Sequence, residues 1–143
     1  MKPHKNKDLK IVLVQPSTHD GVRSLFTYYK GGGLGHKPPL AILILGTYLR
    51  SQGFENVTCI DAQLESLSNE ETADRISKIK PDLVGITTWT DFWYPVWKTV
   101  QLIKNKVPDC KVILGGPHCS VFPRETLEFS EADYVVRGDG EET

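Results

Sequence analysis

Pro81-Asp82-Leu83-Val84-Gly85-Ile86-Thr87-Thr88 decides the fold. Four residues, Leu-Val-Gly-Ile, follow a Pro-Asp turn and run into two hydroxyl residues. Such a run reads as a short strand buried on both faces, Leu83 to Thr87. Outward in both directions the pattern repeats: apolar run, loop, amphipathic stretch, apolar run. Upstream lie Lys10 to Gln15, stopped by Pro16, and Val57 to Asp61. Downstream lie Lys111 to Leu114, stopped by Gly115-Gly116-Pro117, and Tyr134 to Arg137, stopped by Gly138. Strands alternating with helices predict an α/β fold, a five-stranded parallel sheet with helices on both faces.

The intervening helices carry their own signals. Pro39 suits the first turn of a helix running to about Gln52, with Gly53 as its stop. Ser68 and Glu71 have capping-box spacing before a helix through Lys78. Val96, Val100, Ile103 and Val107 keep one helical face. Pro123 opens a short fourth helix carrying Leu127 and Phe129. The Pro16 to Pro38 connection is long for a βα loop, which marks it as functional or mobile. The sequence stops at Glu141-Glu142-Thr143, where a fifth helix is due, so the sheet is expected to be cut before its last helix, with more chain downstream.

Composition narrows the function. The chain of 143 residues suits one domain, and 39% hydrophobic against 24% charged residues reads as globular rather than disordered. A net charge of -1 leaves no electrostatic footprint for nucleic acid or an anionic membrane. The longest apolar run, Leu40 to Gly46, is too short to span a bilayer. The basic start, Lys2 to Lys10, reads as a solvated leader and not a secretory signal. Cys59, Cys110 and Cys119 are odd in number and scattered, which argues against a disulfide framework and leads to an expected cytoplasmic location.

In an open parallel sheet, ligands bind outside the carboxyl ends of the strands. Segments Pro16 to Pro38, Asp61-Ala62, Thr87 to Asp91, Gly115 to Ser120 and Gly138 to Glu141 fall there. Glycines in them admit a flat ligand close to the backbone. A dinucleotide site needs G-x-G-x-x-G directly after the first strand, but Pro16-Ser17-Thr18 follows. Asp61 therefore reads as a polar strand-end residue rather than a ribose ligand. There is no P-loop, and Thr87 stands where a phosphoacceptor receiver needs Asp.

These segments resemble those of the cobalamin-binding N-terminal domain of B12-dependent radical-SAM proteins. Pro38-Pro39-Leu40-Ala41-Ile42-Leu43 leading to Gly46-Thr47-Tyr48-Leu49-Arg50 is similar to that family's first helix opening. So are Asp61, the Pro81 to Thr87 strand, the Gly115-Gly116-Pro117-His118 turn, and Asp133 through Glu141. Each piece is weak alone, but five in order over nearly the whole chain make a specific signal. The resemblance implies a Rossmann-like sheet of flavodoxin-like order, with cobalamin over its carboxyl edge. It also implies a downstream radical-SAM domain holding a [4Fe-4S] cluster and S-adenosylmethionine, whose C-x-x-x-C-x-x-C motif is absent here. Residues 1–143 would then be the cofactor module of a methyltransferase-like or cyclase-like enzyme, not catalytic by itself.

The resemblance assigns cofactor contact to Thr87, Thr88, Trp89, Gly115, Gly116, Pro117, His118, Gly138 and Gly140. Alanine at His118 or bulk at Gly116 is expected to weaken binding with the fold intact. Related mutase domains carry D-x-H-x-x-G after the first strand, with His on cobalt. Ser17-Thr18-His19-Asp20-Gly21-Val22 departs from that spacing, so His19 reads as a solvated loop residue and no protein imidazole is expected on the metal. Trp89, Phe92, Trp93 and Trp97 are expected to cluster, either against the sheet or the downstream domain or on the corrin. Gly31 to Gly35 read as a flexible loop, with a lid as the second reading. The competing hypothesis is a degenerate domain that keeps the fold, binds no cobalamin and serves as a platform for the downstream domain. A nucleotide-binding domain is a poor third.

Overall fold

The computed structural model describes residues 7–18, 20 and 37–141. His19, Gly31, Gly33 and Gly35 lie outside the described residues. The strands are β1 (Ile11–Gln15), β2 (Val57–Asp61), β3 (Leu83–Thr87), β4 (Lys111–Gly115) and β5 (Tyr134–Val135). All pair in parallel in the order β2-β1-β3-β4-β5, the flavodoxin-like arrangement expected. Helices α1 (Leu40–Ser51), α2 (Asn69–Ile79), α3 (Trp93–Lys106), α4 (Pro117–Val121) and α5 (Pro123–Ser130) connect them.

Alternation along the strands builds two cores. Val12, Val14, Ile60, Val84, Ile86, Val112 and Leu114 point to one face, against Ala73 and Ile76 of α2 and Val96, Val100 and Ile103 of α3. Ile11, Leu13 and Val57 point to the other, against Ile42, Leu45 and Leu49 of α1. Burial on both faces explains why these strands read as continuous apolar runs. The strand starts are laced by Asp82, which accepts from the Lys10 N–H at 2.8 Å while its own N–H donates to the Lys10 carbonyl at 2.9 Å.

The capping box is complete: Ser68 Oγ accepts from the Glu71 N–H at 3.2 Å, and the Glu71 carboxylate accepts from the Ser68 N–H at 2.9 Å. Ser68→Ala is expected to cost about 1 kcal/mol, read as a lower urea midpoint. An unchanged midpoint would show that α2 is held by packing alone.

Several boundaries differ from expectation. Pro39 is the N-cap of α1 rather than a residue of its first turn, and Val107 caps α3 from outside. The fifth strand stops at Val135, two residues early. Sequence reading missed α4, which is five residues long and too short for a periodic signal. In α5 the expected apolar pair is turned outward: Leu127 and Phe129 are exposed, while Thr126 and Ser130 are buried. Their hydroxyls make this tolerable, because Thr126 Oγ1 donates to the Phe122 carbonyl at 2.6 Å and Ser130 Oγ accepts from the Ala132 N–H at 3.2 Å.

Candidate functional site

The parallel sheet brings the turns after β1 to β5 to one edge. At the β1 and β2 ends, Pro16 and Ser17 are buried, and the Ala62 N–H donates to the Gln15 carbonyl at 3.0 Å. Asp61 Oδ1 accepts from the Leu64 N–H at 3.0 Å, closing the turn as a strand-end residue should.

The β3 and β4 ends form a tighter unit. The Thr88 N–H donates to the Gly115 carbonyl at 2.7 Å, and the His118 N–H donates to the Thr88 carbonyl at 3.1 Å. Gly116 sits at φ 100 and ψ -174, a region essentially reserved for glycine. A Cβ there would meet the Thr88 carbonyl oxygen at 2.9 Å, its nitrogen at 3.0 Å and Thr87 Oγ1 at 3.1 Å. Gly116 is thus required by the approach of its neighbour's own backbone. Thr87 and Thr88 are buried, and the Thr88 hydroxyl points inward, to the Ile86 carbonyl at 3.5 Å.

Ser120, not singled out from the sequence, joins β4 to β5. Its hydroxyl donates to the Gly116 carbonyl at 3.3 Å and accepts from the Gly138 N–H at 3.2 Å. Gly138, at φ 74, has nothing within 4 Å of an added Cβ, and at Gly115 the nearest atom is 3.9 Å away. Gly140 lies beside Leu45 and Val136, both near 3.9 Å. The open surface of the edge includes Trp89, about half exposed, with Pro117 and Gly138.

His118 is 8% exposed. Its ring stacks on Trp93 at 4.7 Å and lies 5.3 Å from Phe122, and its Nδ1 is 3.3 Å from Thr90 Oγ1. Burial pushes its pKa below the ordinary histidine range, opposed by the nearby Glu125 carboxylate. His118 thus buckles the β3 turn to α4. The packing corrects the expectation that His118→Ala or bulk at Gly116 leaves the fold intact, because both side-chain positions are interior. The expected aromatic cluster is also divided: ring contacts run Trp93 to His118 and Tyr94 to Trp97, with Lys98 over Trp97 at 4.8 Å. Sequence reading missed Phe122 and Glu125; the Glu125–Phe129 spacing, one helical turn, was the available signal.

Among the described residues no three His, Cys, Asp or Glu side chains gather where they could hold a metal ion. Burial raises the pKa of all three thiols, Cys110 to about 11. No helix among the described residues is long and apolar enough to cross a membrane.

Comparison with known proteins matches residues 34–143 to the B12 binding domain family. The chain is 30% identical to an anaerobic magnesium-protoporphyrin IX monomethyl ester cyclase of Rubrivivax gelatinosus, over 94% of this chain and 23% of the relative. It is 35% identical to an uncharacterized methyltransferase of Pyrococcus horikoshii, over 96% of this chain and 28% of the relative. It is 26% identical to a cytidylyl-2-hydroxyethylphosphonate methyltransferase of Streptomyces wedmorensis, over 99% of this chain and 28% of the relative. The chain thus spans only about a quarter of the length of these curated relatives.

Proposed function

This chain belongs to the B12 binding domain family, and from that premise we propose that it seats cobalamin at the carboxyl edge of its sheet, as the cofactor module of a longer methyltransferase-like or cyclase-like enzyme. The reading is carried by one observation. The matched residues, 34–143, include the turns after β2, β3, β4 and β5, which the fold gathers on one edge. A broad, flat, amide-rimmed macrocycle suits this surface, since Gly138 leaves open space, Gly115 leaves room up to ordinary contact with Val136, and Trp89 is about half exposed.

Trp89, Pro117 and Gly138 make the contacts, with Gly115 and Gly140 flanking them. Thr87, Thr88, Gly116 and His118 hold the contact surface in shape from behind. No protein imidazole would be supplied to cobalt from the β1 turn, a reading supported by the lack of D-x-H-x-x-G after β1. Bound cobalamin supplies the cobalt-centred group or electron transfer; the chain supplies its seat and surroundings. The partner is a radical-SAM domain with a [4Fe-4S] cluster and S-adenosylmethionine, in keeping with the longer relatives, and the expected compartment is the cytoplasm.

Titration with hydroxocobalamin, followed by removal of excess, tests the seat. Saturable visible absorbance is expected, and Trp89→Ala should weaken binding about tenfold without altering the circular dichroism. A folded chain that stays colourless would overturn the reading in favour of a degenerate domain acting as an interaction platform.

A further inference from the structure

The proposed cofactor seat leaves a second recess unused. Trp93, His118, Phe122, Glu125 and Phe129 line an open cleft of about 220 Å³ between the start of α3 and α5. Sites that enclose whole small ligands run to roughly 300–1,000 Å³, so this cleft suits the end of one side chain.

The lining specifies that side chain. Four of the five lining residues, Trp93, His118, Phe122 and Phe129, carry aromatic rings. Thr90 Oγ1 lies 3.3 Å from Nδ1 of the stacked His118 ring, whereas Nε2 has no hydrogen-bond partner among the described residues and is not sealed from solvent. Glu125 forms no ion pair among the described residues and stands one turn before Phe129, so both project together. Its carboxylate is close enough to act on the His118 ring. With His118 neutral and its proton on Nδ1 toward Thr90, Nε2 is an acceptor, and the cleft then presents acceptors, one negative charge and aromatic rings. A complementary guest carries several donors and a positive charge on a flat group that stacks. Guanidinium has all three properties; ammonium is a strongly hydrated point charge and does not stack. We infer that this cleft receives an arginine side chain of a partner polypeptide, anchored by Glu125 and His118 Nε2 between Phe129 and Trp93.

The test is an NMR titration of the chain at neutral pH with N-acetyl-arginine methylamide, beside the neutral isostere N-acetyl-citrulline methylamide. Saturable shifts are expected at the Trp93 indole and the His118 ring, with millimolar affinity. Binding should be about fivefold weaker for citrulline and about fivefold weaker in Glu125→Gln, the scale of one exposed ion pair. Phe129→Ala removes an exposed wall without touching the core and should weaken binding similarly. Equal binding of citrulline, undiminished binding in Glu125→Gln, or no local shifts up to about 100 mM ligand would overturn the inference.

Discussion

Gly116→Ala is expected to lower folding stability by about 3 kcal/mol, and Gly116→Val by more. Two effects combine. The backbone at φ 100 and ψ -174 is one that side chains avoid. The new Cβ would also strike the Thr88 backbone at 2.9 and 3.0 Å, which cannot yield as the tip of a flexible side chain could. Gly138→Ala separates the two effects, because Gly138 is also at positive φ but its Cβ would enter open space. That variant should lose only about 1 kcal/mol. Urea unfolding of both variants measures the difference. Equal losses would show that backbone strain alone matters and that the close packing of the β3 and β4 turns is unimportant.

Asp133→Ala is expected to cost about 3 kcal/mol near neutral pH. Asp133 Oδ2 accepts from the Val112 N–H at 2.7 Å and from the Lys104 ammonium, and Oδ1 accepts from Lys111 at 3.1 Å. Lys104 also donates to the Cys110 carbonyl at 3.0 Å. This one carboxylate ties the approach to β5 onto β4 and α3. Burial works against its ionised form, but the bonds from Lys104, Val112 and Lys111 win and hold its pKa at about 2, against 3.8 for an ordinary aspartate. A depressed carboxyl pKa gives stability that is complete above the unfolded value and disappears as pH falls through the folded value. The window is therefore about pH 4 down to about 2, and the contribution is about 2 kcal/mol. Asp133→Asn keeps an acceptor for Val112 but should flatten the stability–pH curve there. Parallel curves for the wild type and Asp133→Asn would refute the role given to the charge.

The fold was legible because its signals are local. Pro81-Asp82 before Leu-Val-Gly-Ile marks the start of β3, and Asp82 does stitch that start to Lys10. The Ser68–Glu71 spacing declares its helix, and strands buried on both faces cannot hide their Val and Ile. What escaped reading depends on contacts between distant turns. Two adjacent glycines at a ligand edge suggest a cofactor, yet Gly116 answers to the backbone of Thr88, twenty-eight positions earlier. Nothing in Pro117-His118-Cys119-Ser120 announces a five-residue helix, or that Ser120 will bridge to Gly138. The outward turn of Phe129 reverses what hydrophobicity predicts, since Thr126 and Ser130 take the buried positions.

The place of β1 in the sheet has a consequence for how the chain reaches this state. Ile11 pairs with Val57 on one side and Leu83 on the other, so β1, an interior strand of the sheet, precedes both of its partners in the chain. Both neighbours must arrive by long crossovers, and closing such loops precedes any gain from the pairing. Folding is accordingly a slow event governed by sequence-distant encounters. Until β3 has left the ribosome, β1 carries an unpaired apolar edge, the interval in which a nascent chain is most open to aggregation and to chaperone capture.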